Sequence, residues 1–144
     1  ELHAMITREQ VVAEALTWVD TPYLHQAMVK GERGGTDCAM INVAIFRDFA
    51  KLAPPDADPR PYPMQWHLHR GEERYLNWFK KYAREVTSPE LADIALFRFG
   101  RTVSHSGIVV ADDVMVHAFR DANKVIRENI SAHSERLHSF WSLF

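Results

Sequence analysis

Cys38 is the only cysteine in this chain of 144 residues, and it stands at the start of a helical pattern. Gly34-Gly35-Thr36-Asp37-Cys38 leads into Ala39 to Leu52, where Ile41, Ile45, Phe49 and Leu52 recur at helical spacing. A thiol at a helix N-terminus feels the positive end of the dipole, which favours thiolate. A neighbouring imidazolium adds to that effect and the Asp37 carboxylate opposes it, so a depressed thiol pKa is expected. Two histidines follow in strand-like surroundings, His105 in Ser104-His105-Ser106-Gly107-Ile108-Val109-Val110 and His117 in Val116-His117-Ala118-Phe119. One imidazole can take the thiol proton and deliver it later, and a second polar group can hold that imidazole in one tautomer. Cys38, His105 and His117 therefore read as nucleophile, base and orienting residue.

Each of these residues also has a plainer reading. A single cysteine near a helix start is commonly a small buried hydrophobe. The preceding Gly-Gly pair favours the catalytic reading, because it lets the backbone turn sharply and present the next side chain. Asp37 reads as an N-cap and, beside a cleft, as a carboxylate for a substrate ammonium. Tyr23 and His25 are loop residues unless that loop folds over Cys38. His67 and His69 flank Leu68 without a spaced acidic or histidine partner, so they read as surface helix residues and no metal site is expected. Trp66, Tyr75, Trp78 and Phe79 read as core.

The elements that must position the site are signalled locally. Thr7-Arg8-Glu9-Gln10 fits a capping box, with Ile6 and Val11 as the hydrophobic staple. Val11, Val12, Ala15, Leu16 and Val19 form a buried stripe, and Asp20-Thr21-Pro22 closes the helix. Five prolines between Pro54 and Pro63 predict a stiff extended loop. A third helix is predicted over roughly Gly71 to Val86, with Tyr75, Leu76, Phe79, Ala83 and Val86 inward. Beyond Thr87-Ser88-Pro89 the pattern changes to strands: Ile94 to Phe99, Ser104 to Val110, Val114 to Phe119, Lys124 to Asn129 and Ser139 to Phe144. Helices first and neighbouring strands afterwards imply an α+β domain, an antiparallel sheet packed on helices.

Whether the histidines meet depends on register. A three-residue turn, Ala111-Asp112-Asp113, pairs Val110 with Val114 and Gly107 with His117. His105 and His117 are then diagonal neighbours on one face, ~7–8 Å apart at the backbone. Gly107 leaves room for the ring. A two-residue turn puts the histidines on opposite faces.

The chain is 47% hydrophobic and 25% charged, with a formal net charge of −2 when the histidines are neutral. At this length one domain, 1–144, is expected, with a core of its own. Nothing basic enough to seek nucleic acid or an anionic membrane is present, and the apolar runs are too short to anchor in a bilayer. No signal peptide is visible; Glu1-Leu2-His3-Ala4 before Met5 reads as an expression remnant. A single cysteine excludes an internal disulfide framework and a multi-cysteine zinc site.

The order Thr21-Pro22-Tyr23, Asp37-Cys38, Leu91-Ala92-Asp93-Ile94-Ala95-Leu96-Phe97, Ser104-His105-Ser106-Gly107-Ile108-Val109 and Val116-His117-Ala118 resembles the NlpC-type cell-wall cysteine peptidases. The resemblance runs from about Thr7 to the end. Pro22-Tyr23-Leu24-His25-Gln26-Ala27, the tyrosine-proline loop and Arg70-Gly71-Glu72-Glu73-Arg74-Tyr75-Leu76 look like the branch carried in bacteriophage and prophage tail modules. It implies a circularly permuted papain-like α+β fold and a cysteine peptidase that cuts peptidoglycan stem peptides beside D-glutamate and a diamino acid, without a cofactor. By the same resemblance Cys38 is the nucleophile, His105 the base and His117 its orienting partner. Asp37 then binds the free amine of the stem peptide, Tyr23 lies near the oxyanion, and His25 falls in the same loop region. Phage tail proteins are the implied partners, and the implied location is the tail or virion, or synthesis in the bacterial cytoplasm before acting on the wall. One departure stands out: Ala39-Met40 follows the cysteine where the family has Ser-Gly, which removes a substrate contact and enlarges the residue behind the nucleophile. The rival readings are a tail structural domain with weakened chemistry and a thiol acyltransferase or lipid hydrolase of the same fold.

Overall fold

The computed structural model describes residues 5–64 and 73–144. His67, His69 and Trp66 lie outside the described residues, as does the predicted start of the third helix at Gly71.

Helix α1 (Arg8–Leu16) begins where its capping signal stands: Gln10 N donates to Thr7 Oγ1 at 3.1 Å and Thr7 N to Gln10 Oε1 at 2.8 Å. Val11 and Ala15 are buried, but Leu16, expected inward, is exposed. The chain leaves the helix after Leu16, and Trp18 takes the inward position instead. A short antiparallel pair, β1 (Met28–Val29) and β2 (Gly35–Thr36), then delivers the chain to Cys38.

The helix after Cys38 is not the regular α-helix that its spacing predicts. α2 (Met40–Asn42) widens at once into a π-helical stretch, Val43–Phe49, in which Ala50 N donates to Ile45 O at 2.8 Å. An i→i+5 ladder turns the buried face. Ile41 and Ile45 stay inside, Ala50 is buried, and Phe49 is 42% exposed. Met40 is fully buried, so the large residue behind Cys38 is accommodated in the core.

Helix α3 (Arg74–Tyr82) stops four residues before the predicted end at Val86. Ala83 is extended, and β3 (Arg84–Val86) follows. Its backbone groups are satisfied by a sheet rather than by another helical turn, since it pairs with the last strand. The remaining strands are β4 (Ile94–Phe99), β5 (Thr102–Ala111), β6 (Val114–Phe119), β7 (Lys124–Asn129) and β8 (Leu137–Ser142). They form one antiparallel sheet in the order β3-β8-β4-β5-β6-β7. The α+β expectation holds. One sheet face, through Ile94, Leu96, Ile108 and Val116, packs on Val11, Ile41, Ile45, Phe46 and Phe79 of the helices. The other face carries a smaller cluster of Ala95, Phe97, Val109, Met115 and Ile130.

The β5–β6 hairpin departs from the predicted turn yet keeps the useful register. Ala111 pairs with Val114, leaving a two-residue turn, Asp112-Asp113. Alone, that turn would throw the histidines onto opposite faces. A register shift between Val109 and Ala111 absorbs one extra residue, and the ladder resumes with Val109 opposite Met115 and Ile108 opposite Val116. Gly107 thereby falls opposite His117, and His105 shares its face. A bulge has done what a longer turn was expected to do. The space above Gly107 is not left for a ring: a Cβ there would stand 2.2 Å from Met115 Sδ.

Candidate active site

Cys38 is held by its backbone neighbours on both sides. Asp37 caps the helix, its Oδ1 accepting from Ala39 N at 3.1 Å and Met40 N at 2.8 Å. The Cys38 carbonyl accepts from Tyr75 Oη at 2.5 Å, Ser106 Oγ at 3.2 Å and Asn42 Nδ2 at 3.3 Å. Asn42 Nδ2 also donates to Ser106 Oγ at 2.9 Å, tying α2 to β5. Such a buried, interconnected set fixes the position of Cys38. Asn42 carries no signal in the sequence, Tyr75 reads as core, and Ser106 reads only as a small neighbour of His105.

The Cys38 side chain and His105 line one cleft of about 180 Å³, together with Tyr23, Phe99, Ser104, Phe119 and Arg120. Cys38 Sγ donates to Ser104 O at 3.5 Å. His105 is buried and is surrounded by the rings of Phe97, Phe99 and Phe119. Its Nε2 lies 2.7 Å from His117 Nδ1. The remaining nitrogen, Nδ1, is the one that His117 does not engage.

The electrostatics correct one expectation. Burial, reinforced by the Asp37 carboxylate, pushes the Cys38 thiol up to about 12, against the pull of the Tyr75 and Tyr23 hydroxyls that hydrogen-bond to it. The helix dipole does not win here, because the sulfur has lost its water. Burial and the neighbouring His117 hold His105 well below the ordinary imidazole value. Burial likewise brings His117 down to about 4, opposed by Glu128 and assisted by His133. At rest the site is a neutral thiol beside neutral imidazoles.

Asp37 and His25 are not part of the cleft wall. Asp37 is 2% exposed, and its Oδ2 accepts from Gln26 N at 2.8 Å and the Tyr62 hydroxyl at 2.5 Å. With Oδ1 already on two backbone amides, the carboxylate has four internal donors and no free edge for a substrate amine. His25 sits behind it, Nδ1 3.8 Å from Asp37 Oδ2, with Nε2 3.0 Å from Tyr62 O. The proline-rich loop thus braces the cap through Tyr62, a link across 25 residues that no local pattern announces. Tyr23 does reach the cleft, and burial together with the nearby Cys38 and Asp37 raises its hydroxyl pKa.

Beyond His117 the polar chain continues. Glu128 Oε1 lies 3.4 Å from His117 Nε2 and hydrogen-bonds His133 Nε2. Neither Glu128 nor His133 was singled out in the sequence. The signal available was the alternation of β7, which turns Glu128 toward the β6 histidine; His133 had none, because it sits in an irregular 3₁₀ segment broken at that residue.

No protein-family model matches the sequence, and no curated protein is similar to it. Solved structures are similar in shape. NlpC2 from Trichomonas vaginalis is 13% identical with a TM-score of 0.67, the match covering 99% of this chain and 50% of that one. The NlpC/p60 domain of the peptidoglycan hydrolase SagA is 14% identical with a TM-score of 0.64, covering 95% of this chain and 99% of that domain. The fold is that of the NlpC/P60 domains. The peptidoglycan hydrolase RipB from Mycobacterium tuberculosis shares the NlpC/P60-like fold at 17% identity and a TM-score of 0.57, over 94% of this chain and 63% of that one. The chain spans half the length of the Trichomonas protein and nearly all of the SagA domain.

Proposed function

We propose that this protein is a cysteine peptidase that hydrolyses peptide bonds in peptidoglycan stem peptides, beside D-glutamate and a diamino acid, as a component of a phage or prophage tail. The observation that carries the reading is the 2.7 Å contact between His105 Nε2 and His117 Nδ1 in a cleft that His105 shares with the Cys38 thiol. The likeness of fold to a peptidoglycan hydrolase domain supports the choice of substrate. The tail assignment rests on the resemblance of the Pro22–Ala27, tyrosine-proline and Arg70–Leu76 segments.

The reaction divides into two displacements. Substrate enters the cleft, and His105 Nδ1 accepts the Cys38 proton as sulfur attacks the carbonyl carbon. The new S–C bond sends the C=O electron pair to oxygen, where the Cys38 N–H and the Tyr23 hydroxyl donate to it. Collapse breaks the C–N bond, and His105 returns the proton to the leaving amine. In the second displacement water gives a proton to His105 and attacks the thioester, and the thiol leaves with that proton.

The test is digestion of purified sacculi, with released fragments identified by mass spectrometry, by the wild type and by Cys38→Ser. Cleavage of a stem peptide by the first and not the second supports the reading. Intact sacculi with both, or equal cleavage by both, overturns it.

A further inference from the structure

Behind the His105–His117 pair, three donor atoms from separate elements converge. His117 Nε2 on β6, Glu128 Oε1 on β7 and His133 Nε2 in the segment before β8 all lie within 4.8 Å of one another. His117 is fully buried, yet among the described residues its Nε2 makes no close hydrogen bond, the Glu128 Oε1 it faces standing 3.4 Å away. A buried imidazole nitrogen aimed at a carboxylate and a second imidazole without a partner of its own is an unfilled position. Glu128 and His133 have side chains 28% and 17% exposed, so an ion can enter from solvent. The rings of Phe97, Phe99 and Phe119 pack around His133, a dry shell on the inner side.

Two imidazoles and one carboxylate are the donor set of Zn²⁺ and its late first-row neighbours, whereas Mg²⁺ and Ca²⁺ prefer oxygen. With metal–ligand bonds of about 2.0–2.1 Å, tetrahedral donors stand roughly 3.3 Å apart, a spacing reached by side-chain shifts of about an ångström. We propose that His117, Glu128 and His133 bind Zn²⁺, and that the bound ion locks the His105–His117 pair in a tautomer that cannot accept the Cys38 proton.

The locking follows from counting protons. Without metal, His117 carries its proton on Nε2 and accepts from His105 Nε2–H through Nδ1. His105 Nδ1 is then a bare acceptor. Metal on His117 Nε2 forces its proton to Nδ1, which now donates to His105 Nε2. A ligating histidine commonly uses its second nitrogen in this way. His105 must then carry its own proton on Nδ1, and the thiol proton has nowhere to go. The binding site stands on its own geometry; only its inhibitory consequence rests on the cysteine-peptidase reading.

The experiment uses the intact chain as Cys38→Ser, which removes the thiol as a competing metal ligand and needs no activity. Titration with Zn²⁺ by calorimetry, and with Co²⁺ by visible absorption, is expected to show one ion bound with tetrahedral Co²⁺ bands. His133→Ala and Glu128→Gln on the same background, each checked for fold by circular dichroism, are expected to weaken binding at least tenfold. Long-range ¹H–¹⁵N spectra of the imidazoles read the second half directly: Zn²⁺ should move the His105 proton from Nε2 to Nδ1. Zn²⁺ binding that is absent in Cys38→Ser, or unchanged in both ligand variants, overturns the site. A His105 proton that stays on Nε2 in the Zn²⁺ form overturns the lock. Failure to cleave sacculi would strike the peptidase reading alone and leave these measurements decisive.

Discussion

His105 Nε2 and His117 Nδ1 stand 2.7 Å apart on adjacent antiparallel strands, and the bulge between Val109 and Ala111 is what keeps them on one face. The hairpin turn has two residues, so the contact depends on an irregularity five residues from His105 and seven from His117, counted to Val110.

In the proposed mechanism His117 acts on His105 rather than on substrate, and its replacement should show in turnover. His117→Ala is expected to lower kcat by about 10²–10⁴-fold, the range for losing a correctly held general base. His117→Asn, whose side-chain oxygen can still accept from His105 Nε2–H, should recover at least tenfold of that loss. Steady-state kinetics on a stem-peptide substrate, with folding checked by circular dichroism, measure both. Equal kcat for the Asn and Ala variants would mean that His117 serves packing alone.

Cys38 should label slowly at neutral pH. Its pKa is raised to about 12, so the thiolate is the minor form until well into the alkaline range. Iodoacetamide labelling of the native protein is expected to climb with pH throughout the range in which the fold survives. The urea-unfolded chain should instead show a midpoint near the ordinary thiol value of ~8.5. A native midpoint below pH 7 would restore the thiolate–imidazolium pair.

Asp37 is a structural brace. Asp37→Ala removes an N-cap worth about 1 kcal/mol and takes from the Gln26 amide its carboxylate acceptor, at roughly 1–3 kcal/mol more. Thermal or urea unfolding should register a loss on the order of 3 kcal/mol. Asp37→Asn keeps the cap and should lower activity equally on substrates with a free or an acetylated N-terminus. A loss confined to the free-amine substrate would return Asp37 to the role of amine anchor.

Gly107 is required by Met115. A Cβ at Gly107 would stand 2.2 Å from Met115 Sδ and 3.1 Å from Met115 Cβ, so Gly107→Ala forces the strands or the methionine to move. The expected cost is about 1–3 kcal/mol. Pairing it with Met115→Ala should cost less than the two single changes added together. Strict additivity in urea unfolding would remove the contact as the cause.

What the sequence determined by itself was everything carried by short-range pattern. The Thr7-Gln10 capping box, the α+β order and the alternation that puts His105 and His117 on strands all rest on residues within a few positions of each other. Helix caps and strand periodicity are local interactions, and they survive in the tertiary fold unchanged. The end of α3 at Tyr82, the π-helical course after Asn42, the bulge at Val110 and the burial of Asp37 under Tyr62 were decided elsewhere. The strand after α3 and the Asp37 carboxylate find their partners in β8 and in Tyr62, and no window of neighbouring residues contains those partners. The same reason separates the thiol's expected and actual acidity. The helix start that lowers a cysteine pKa is written next to Cys38, whereas the desolvation that raises it comes from packing against β5, α3 and the Tyr23 loop.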